Sequence, residues 1–210
     1  MVLEGEIVDA AETFTTPLRE KPYAVLNAWG AEKGKRINSG ERRSWIETTA
    51  GVDATSFVVE DGSGRFRVEP PTFTRTGFGT PVTRGVTNGD FHCEVSIFGT
   101  RSVVEEDEHE PPEVRRLLDE HPSASGGRLH AYRYKDGTIS VGDSVTVLGH
   151  ATPTDEEGVN GVVSSRGEGR PLVVADQDLD SLTSRTKASK SVAAAGLLLA
   201  ILGGALWGLV

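Results

Sequence analysis

The stretch with the most chemical promise is Phe91-His92-Cys93, which sets a thiol beside an imidazole. A cysteine nucleophile needs its base within hydrogen-bond reach, and neighbours in a strand point to opposite faces, so this pair cannot work as nucleophile and base within one strand. Cys93 reads instead as a small core residue. His109, His121, His130 and His150 show neither HxH nor HExxH spacing, which leaves no two imidazoles in register for a metal. Five carboxylates lie between Glu105 and Glu110 around His109; they could attract a cation, but a run of like charge reads first as a solvated linker. The segment SSRGEGRP around Ser165 is glycine-rich with two arginines, yet it lacks the Lys-Ser/Thr and following helix of a phosphate loop and reads as a hairpin turn. Asp61 and Asp143 adjoin turn glycines, where a short carboxylate caps backbone N–H groups. The sequence therefore assigns no catalytic residue, no cofactor-binding residue and no metal ligand.

The elements that would carry these residues are mostly strands. Between Leu3 and about Val174 the apolar residues come in short runs separated by turn chemistry, the pattern of a small antiparallel barrel or sandwich. In SFVVEDGSGRFRVEPP, Phe57 to Val59 form one strand, Asp61-Gly62-Ser63-Gly64 supply a tight turn, and Arg65 to Val68 alternate out and in. In GTISVGDSVTVLGHAT, Ile139 and Val141 lead to a Gly142-Asp143 turn followed by Val145 and Val147, which reads as two short strands. Further strands are expected at Tyr23 to Ala28, Ser44 to Thr48, Phe91 to Phe98, Leu129 to Tyr134 and Val159 to Ser164. One short amphipathic helix is expected in EPPEVRRLLDEHPS: Pro111 and Pro112 suit a first turn, Val114, Leu117 and Leu118 share a face, and Pro122 ends it. AEKGKRINSGERR and FTRTGFGTPVTRGVTNGD read as exposed connections.

The C-terminal twenty residues, Ser191 to Val210, carry no charge, and at ~1.5 Å per residue a helix of that length reaches roughly the 30 Å of a hydrocarbon core. Arg185, Lys187 and Lys190 precede the run and no residue follows it, so the positive-inside rule places the N-terminal domain in the cytoplasm, in a single-pass, tail-anchored cell-membrane topology. The expected organisation is a β-rich domain over 1–180, a basic juxtamembrane linker over 181–190 and a transmembrane helix over 191–210. Gly196, Ala200, Gly204 and Gly208 recur every four positions and would let a second helix approach closely, a route to a homodimer. The start, MVLEGEIVDAAETF, has acidic residues where a signal peptide needs basic ones.

With a net charge of -9 the chain repels phosphate backbones, and with 6% aromatic residues it lacks the stacking surface of a single-strand binder, so no nucleic-acid partner is expected. The preference for arginine, 16 against 6 lysines, with abundant Asp, Glu, Gly and Thr resembles a salt-adapted, archaeal composition. The single cysteine excludes an intramolecular disulfide and a cysteine zinc cluster.

The order of TTPLREKPYAVLNAWG, SFVVEDGSGRFRVEPP, the helix PPEVRRLL and YRYKDGTISVGDSVTVLGHA resembles the GIDE domain, also called the beside-a-membrane domain, of the membrane-embedded E3 ubiquitin ligases of mitochondria and chloroplasts. The resemblance covers roughly residues 1 to 180 and rests on order and spacing, with no catalytic motif in it. It implies a β-rich module that recognises a protein partner or ligand beside a membrane. In those ligases a spanning helix precedes the domain and a RING follows it, whereas here the chain opens into the domain and stops at Val210. A RING holds two zinc ions through eight Cys or His ligands, and this chain has one Cys and five His, so its residues do not supply one. The resemblance thus points to a non-catalytic binding module at the cytoplasmic membrane face. An E3-like ubiquitin transferase activity is the alternative, with a RING supplied by another chain.

Overall fold

The computed structural model describes residues 1–36, 43–71, 80–82, 85–96, 98–105, 108–124, 130–167 and 169–182. The described chain is mainly β, in two open sheets with two short helices. Its strands are β1 (Val2–Ala10), β2 (Ala24–Arg36), β3 (Arg43–Ala54), β4 (Phe57–Asp61), β5 (Gly64–Val68), β6 (Thr80–Val82), β7 (Gly85–Asn88), β8 (Phe91–Glu94) and β9 (Gly99–Val104). After helix α1 (Pro112–Glu120) and a 3-10 turn at Pro122–Ala124 come β10 (Tyr132–Ser140), β11 (Ser144–Leu148), β12 (His150–Thr152), β13 (Gly161–Ser164) and β14 (Leu172–Ala175). The larger sheet runs β12-β13-β5-β4-β1-β11-β14-β8-β7-β6 and the smaller β3-β2-β10-β9.

The smaller sheet is covered on both faces. Leu26, Ala28, Ala50, Val52 and Ile139 join the main core with Leu3, Ile7, Phe57, Val59 and Phe91 of the larger sheet. On its other face Trp29, Ala31, Val104, Tyr132 and Tyr134 pack with Leu18 and with Val114 and Leu117 of α1. The layers are therefore sheet, sheet, helix. Alternation along β2 places Ala28 in one core and Trp29 in the other, as a strand buried on both faces requires. Trp29 has room for its indole because the residue opposite it on β3 is Gly51; a Cβ there would sit 2.4 Å from Cζ2 of the ring.

The β4–β5 hairpin forms as expected. Asp61 Oδ1 accepts from the backbone N–H groups of Ser63 (2.7 Å) and Gly64 (3.1 Å) and from the Ser63 hydroxyl (2.6 Å). These bonds, the Ser63 hydroxyl foremost, hold the Asp61 carboxyl below its ordinary range. The helix also forms where its sequence signals lie: Pro111 precedes the first turn, Val114 and Leu117 are buried, and the chain leaves the helix at His121, ahead of Pro122.

Several expectations need correction. The larger sheet is mixed rather than antiparallel, because β13 pairs β5 and β14 pairs β8 in parallel. Neither sheet closes into a barrel among the described residues. AEKGKRINSGERR is not wholly a connection: residues 31–36 continue β2, and Arg43 begins a twelve-residue β3 that outruns the expected Ser44 to Thr48. β6 and β7 fall within the segment 73–90 that reads as loop. The expected strand Phe91 to Phe98 stops at Glu94, and β9 starts afresh at Gly99. The Gly142-Asp143 turn joins strands of different sheets, and SSRGEGRP joins β13 to β14, which are not neighbours. Its own turn is closed by Arg166 N–H to the Arg170 carbonyl and Arg170 N–H to the Gly167 carbonyl.

Among the described residues no helix is long and apolar enough to cross a membrane; the run 191–210, with Gly196, Ala200, Gly204 and Gly208, lies outside them.

Two outcomes test this account. Gly51→Val should cost about 1–3 kcal/mol by overpacking the Trp29 ring, read as a lower urea midpoint with an unchanged slope. The advantage of wild type over Asp61→Asn should be on the order of 0.5 kcal/mol, small because solvent screens an exposed turn. A lowered folded-state pKa means that this advantage is present above pH 3.8 and is lost as pH falls through the lowered value, measurable by urea titrations from pH 7 down to about 2.

Candidate functional site

A cleft of about 340 Å³ opens where the two sheets and the β1–β2 connection meet, lined by Arg19, Lys21, Val95, Thr138, Asp143, Ser144 and Asp176. Each wall has a local cause. Arg19 and Lys21 sit on a connection folded back on itself: Glu20 N–H bonds to the Thr16 carbonyl (2.8 Å), Lys21 N–H to Thr16 Oγ1 (3.2 Å), and Thr16 N–H to the Lys21 carbonyl (3.1 Å). Glu20 (φ 54) and Tyr23 (φ 58) are left-handed without being glycines, an uncommon backbone state that concentrates at functional loops. Thr138 comes from β10, and Asp143 and Ser144 from the corner that carries the chain from one sheet into the other. Asp143 Oδ2 accepts from Ser140 N–H (2.8 Å) and faces Lys21 Nζ at 3.6 Å. Asp176 follows β14 and accepts from Ser96 through its backbone N–H (2.6 Å) and hydroxyl (2.7 Å). The cleft thus presents charges of both signs and two hydroxyls.

Behind the Arg19 wall lies a carboxylate with no solvent exposure, Asp136 of β10. Its Oδ1 receives Arg101 Nε (2.6 Å) and Arg19 Nε (2.8 Å), and Arg19 Nη2 also reaches the Asp136 carbonyl (3.2 Å). Its Oδ2 is buried with no hydrogen-bond partner. Burial pushes the Asp136 carboxyl up, and the Arg101 guanidinium pulls partly against it. A second buried carboxylate, Glu32, is bridged by Arg133 and Lys135 of the adjacent strand.

The residues singled out by sequence do not gather at the cleft, Asp143 excepted. Cys93 is fully buried in the main core, its thiol pushed well above the ordinary value by desolvation and then by Asp176 and Glu94. His92 faces the other way and bonds Thr87 Oγ1 at 2.7 Å. His121 Nε2 meets Asp53 Oδ2 at 3.0 Å, and its ring lies against Trp29 with centroids 4.4 Å apart, so it fastens the end of α1 to β3. His109 and His130 are exposed and His150 is half-buried. In the acidic run Glu108 Oε2 accepts from Glu105 N–H (3.0 Å), while residues 106–107 lie outside the described residues. Among the described residues no three His, Cys, Asp or Glu side chains converge to hold a metal ion.

Sequence reasoning missed Arg19, Arg101 and Asp136. Asp136-Gly137 looks like a hairpin turn and so separates Tyr134 from Ile139, whereas β10 runs straight through both. The usable signal was the alternation of Tyr132, Tyr134 and Asp136, which puts a carboxylate in line with two core aromatics.

Comparison of the chain with protein-family models, with curated proteins and with solved structures returns no match.

Asp136→Ala should cost about 3–5 kcal/mol because it leaves two guanidiniums without their shared carboxylate. Lys21→Ala, at the cleft rim, should stay within about 0.5 kcal/mol. Denaturant unfolding of the two variants beside wild type checks both values.

Proposed function

We propose that this chain is a membrane-anchored, GIDE-like module that binds a protein partner at the cytoplasmic membrane face and performs no catalytic step of its own. On this reading the two open sheets form a small sandwich over 1–180, residues 181–190 link it to the bilayer, and 191–210 cross as a helix. The observation that carries the proposal is the cleft. Arg19 and Lys21 stand with Asp143 and Asp176 around Thr138 and Ser144, a lining that matches the paired donors, acceptors and charges of a peptide segment better than an apolar ligand.

Its position supports the reading as well. Asp176 lies six residues before the last described residue, and the chain between is tied to the domain: Thr146 Oγ1 donates to the Gln177 carbonyl (2.5 Å) and Leu179 N–H to Glu4 Oε1 (2.8 Å). The cleft therefore lies next to the segment that leads toward the apolar run. The resemblance to GIDE domains supports partner recognition by analogy, since the stretch TTPLREKPYAVLNAWG that carries part of it also carries Arg19 and Lys21.

Crosslinking in native membranes followed by mass spectrometry tests the proposal, using the full chain, Ser144→Trp to fill the cleft mouth, and a version truncated after Asp180. One partner should be captured repeatedly, its yield should fall about tenfold or more with Ser144→Trp, and it should be lost on truncation. The same proteins captured at equal yield by all three would refute the proposal. Dominance of ubiquitin-like proteins and their activating enzymes would replace it with the transferase alternative.

A further inference from the structure

We infer that Tyr23 is the principal contact for the partner segment, taking a bulky apolar side chain of that segment at the rim of the cleft. The inference deepens the peptide-binding reading of the cleft and rests on it. The cleft itself offers charges and hydroxyls, and its single apolar lining residue, Val95, is 1% exposed. Paired charges and hydrogen bonds select a partner more than they hold it, because each replaces a contact with water by a contact with the partner. Holding calls for apolar area removed from water, most often centred on an aromatic side chain.

The rim supplies that area. Among the described residues Tyr23 is the most exposed of the large apolar side chains, at 68%, and Val141 is exposed as well. Their backbones are joined, since Val141 N–H donates to the Tyr23 carbonyl (3.2 Å). Tyr23 comes two residues after Lys21 and Val141 two residues before Asp143, and both of those charged residues line the cleft. Lys21 and Asp143 approach to 3.6 Å, so the chain segments that carry Tyr23 and Val141 meet at the cleft as well.

The backbone at Tyr23 argues that its ring is kept for contact rather than for the fold. Tyr23 follows Pro22 in a turn and holds φ 58, a place and a conformation that favour glycine. A tyrosine there is strained, and packing of the ring does not offset the strain: its side chain makes no hydrogen bond or ring contact with the described residues. The turn is set by its flanks instead. Thr16 and Lys21 bond on one side, and on the other Phe14 and Ala24 exchange both backbone hydrogen bonds, each 3.0 Å. Bonds on both sides keep the residue in a conformation it would otherwise leave, with its ring in solvent beside the cleft.

The test selects a random peptide library displayed on phage against the full chain in phosphatidylcholine nanodiscs, then measures the recovered peptides on wild type, Tyr23→Gly and Ser144→Trp. The peptides should share a bulky apolar residue and bind Tyr23→Gly about tenfold or more weakly. Cutting that residue back to alanine should weaken binding to wild type and leave binding to Tyr23→Gly unchanged, the signature of a direct contact. The urea midpoint of Tyr23→Gly should stay level or rise, since relief of the left-handed strain offsets the greater freedom of glycine in the unfolded chain. A lower midpoint overturns the inference, because Tyr23 would then serve the fold. Peptides lost on Ser144→Trp but bound equally by Tyr23→Gly overturn it and leave the cleft reading standing. Peptides indifferent to Ser144→Trp reject the cleft reading, and this inference with it.

Discussion

Asp136 brings a carboxylate to a point with no solvent, and the surrounding architecture answers that constraint. Its two guanidiniums come from distant parts of the chain, Arg19 from the β1–β2 connection and Arg101 from β9. A buried charge with one partner missing is far costlier than the assembled cluster is favourable. The cluster therefore selects one arrangement of these three segments more than it strengthens that arrangement. With Arg19 fixed in this way, the left-handed Glu20 is held and Lys21 is presented at the cleft, so the electrostatics behind the wall determine the geometry in front of it.

Local signals made parts of this fold legible. The β4–β5 hairpin could be read because Asp61, Ser63 and Gly64 lie within four residues and the bonds that close the turn involve only them. Helix α1 could be read because prolines bracket it and its apolar residues keep one period. Where pairing is between distant segments, sequence pattern gave no purchase. β14 lies beside β8 with roughly eighty residues between them, and nothing in Leu172-Val173-Val174-Ala175 names that neighbour. Asp136-Gly137 shows the opposite failure, a strong local turn signal overruled because both residues sit mid-strand, Asp136 paired with Trp29 and Gly137 with Ala28 of β2.

The cleft was illegible for the same reason. Its lining comes from a connection, the body of β10, the residues just past two other strands and a corner, and the Arg19–Asp136 contact alone spans 117 positions. The His121–Asp53 contact, 68 positions apart, was equally hidden, and it turns out to secure the helix layer rather than to serve chemistry. Mixed pairing also makes the architecture demanding to assemble, since β5 and β8 each wait for a parallel neighbour supplied much later in the chain.

The sealing of Cys93 makes the molecule its own stopwatch. The sulfur is the chain's single thiol, it is wholly enclosed, and its strand is covered by the late-arriving β14. An alkylating reagent can meet it as a thiolate only when that part of the sheet parts from its neighbours. Where alkylation outpaces reclosing, the rate at which native protein is labelled thus counts the openings that expose Cys93, without denaturant and without an engineered labelling site.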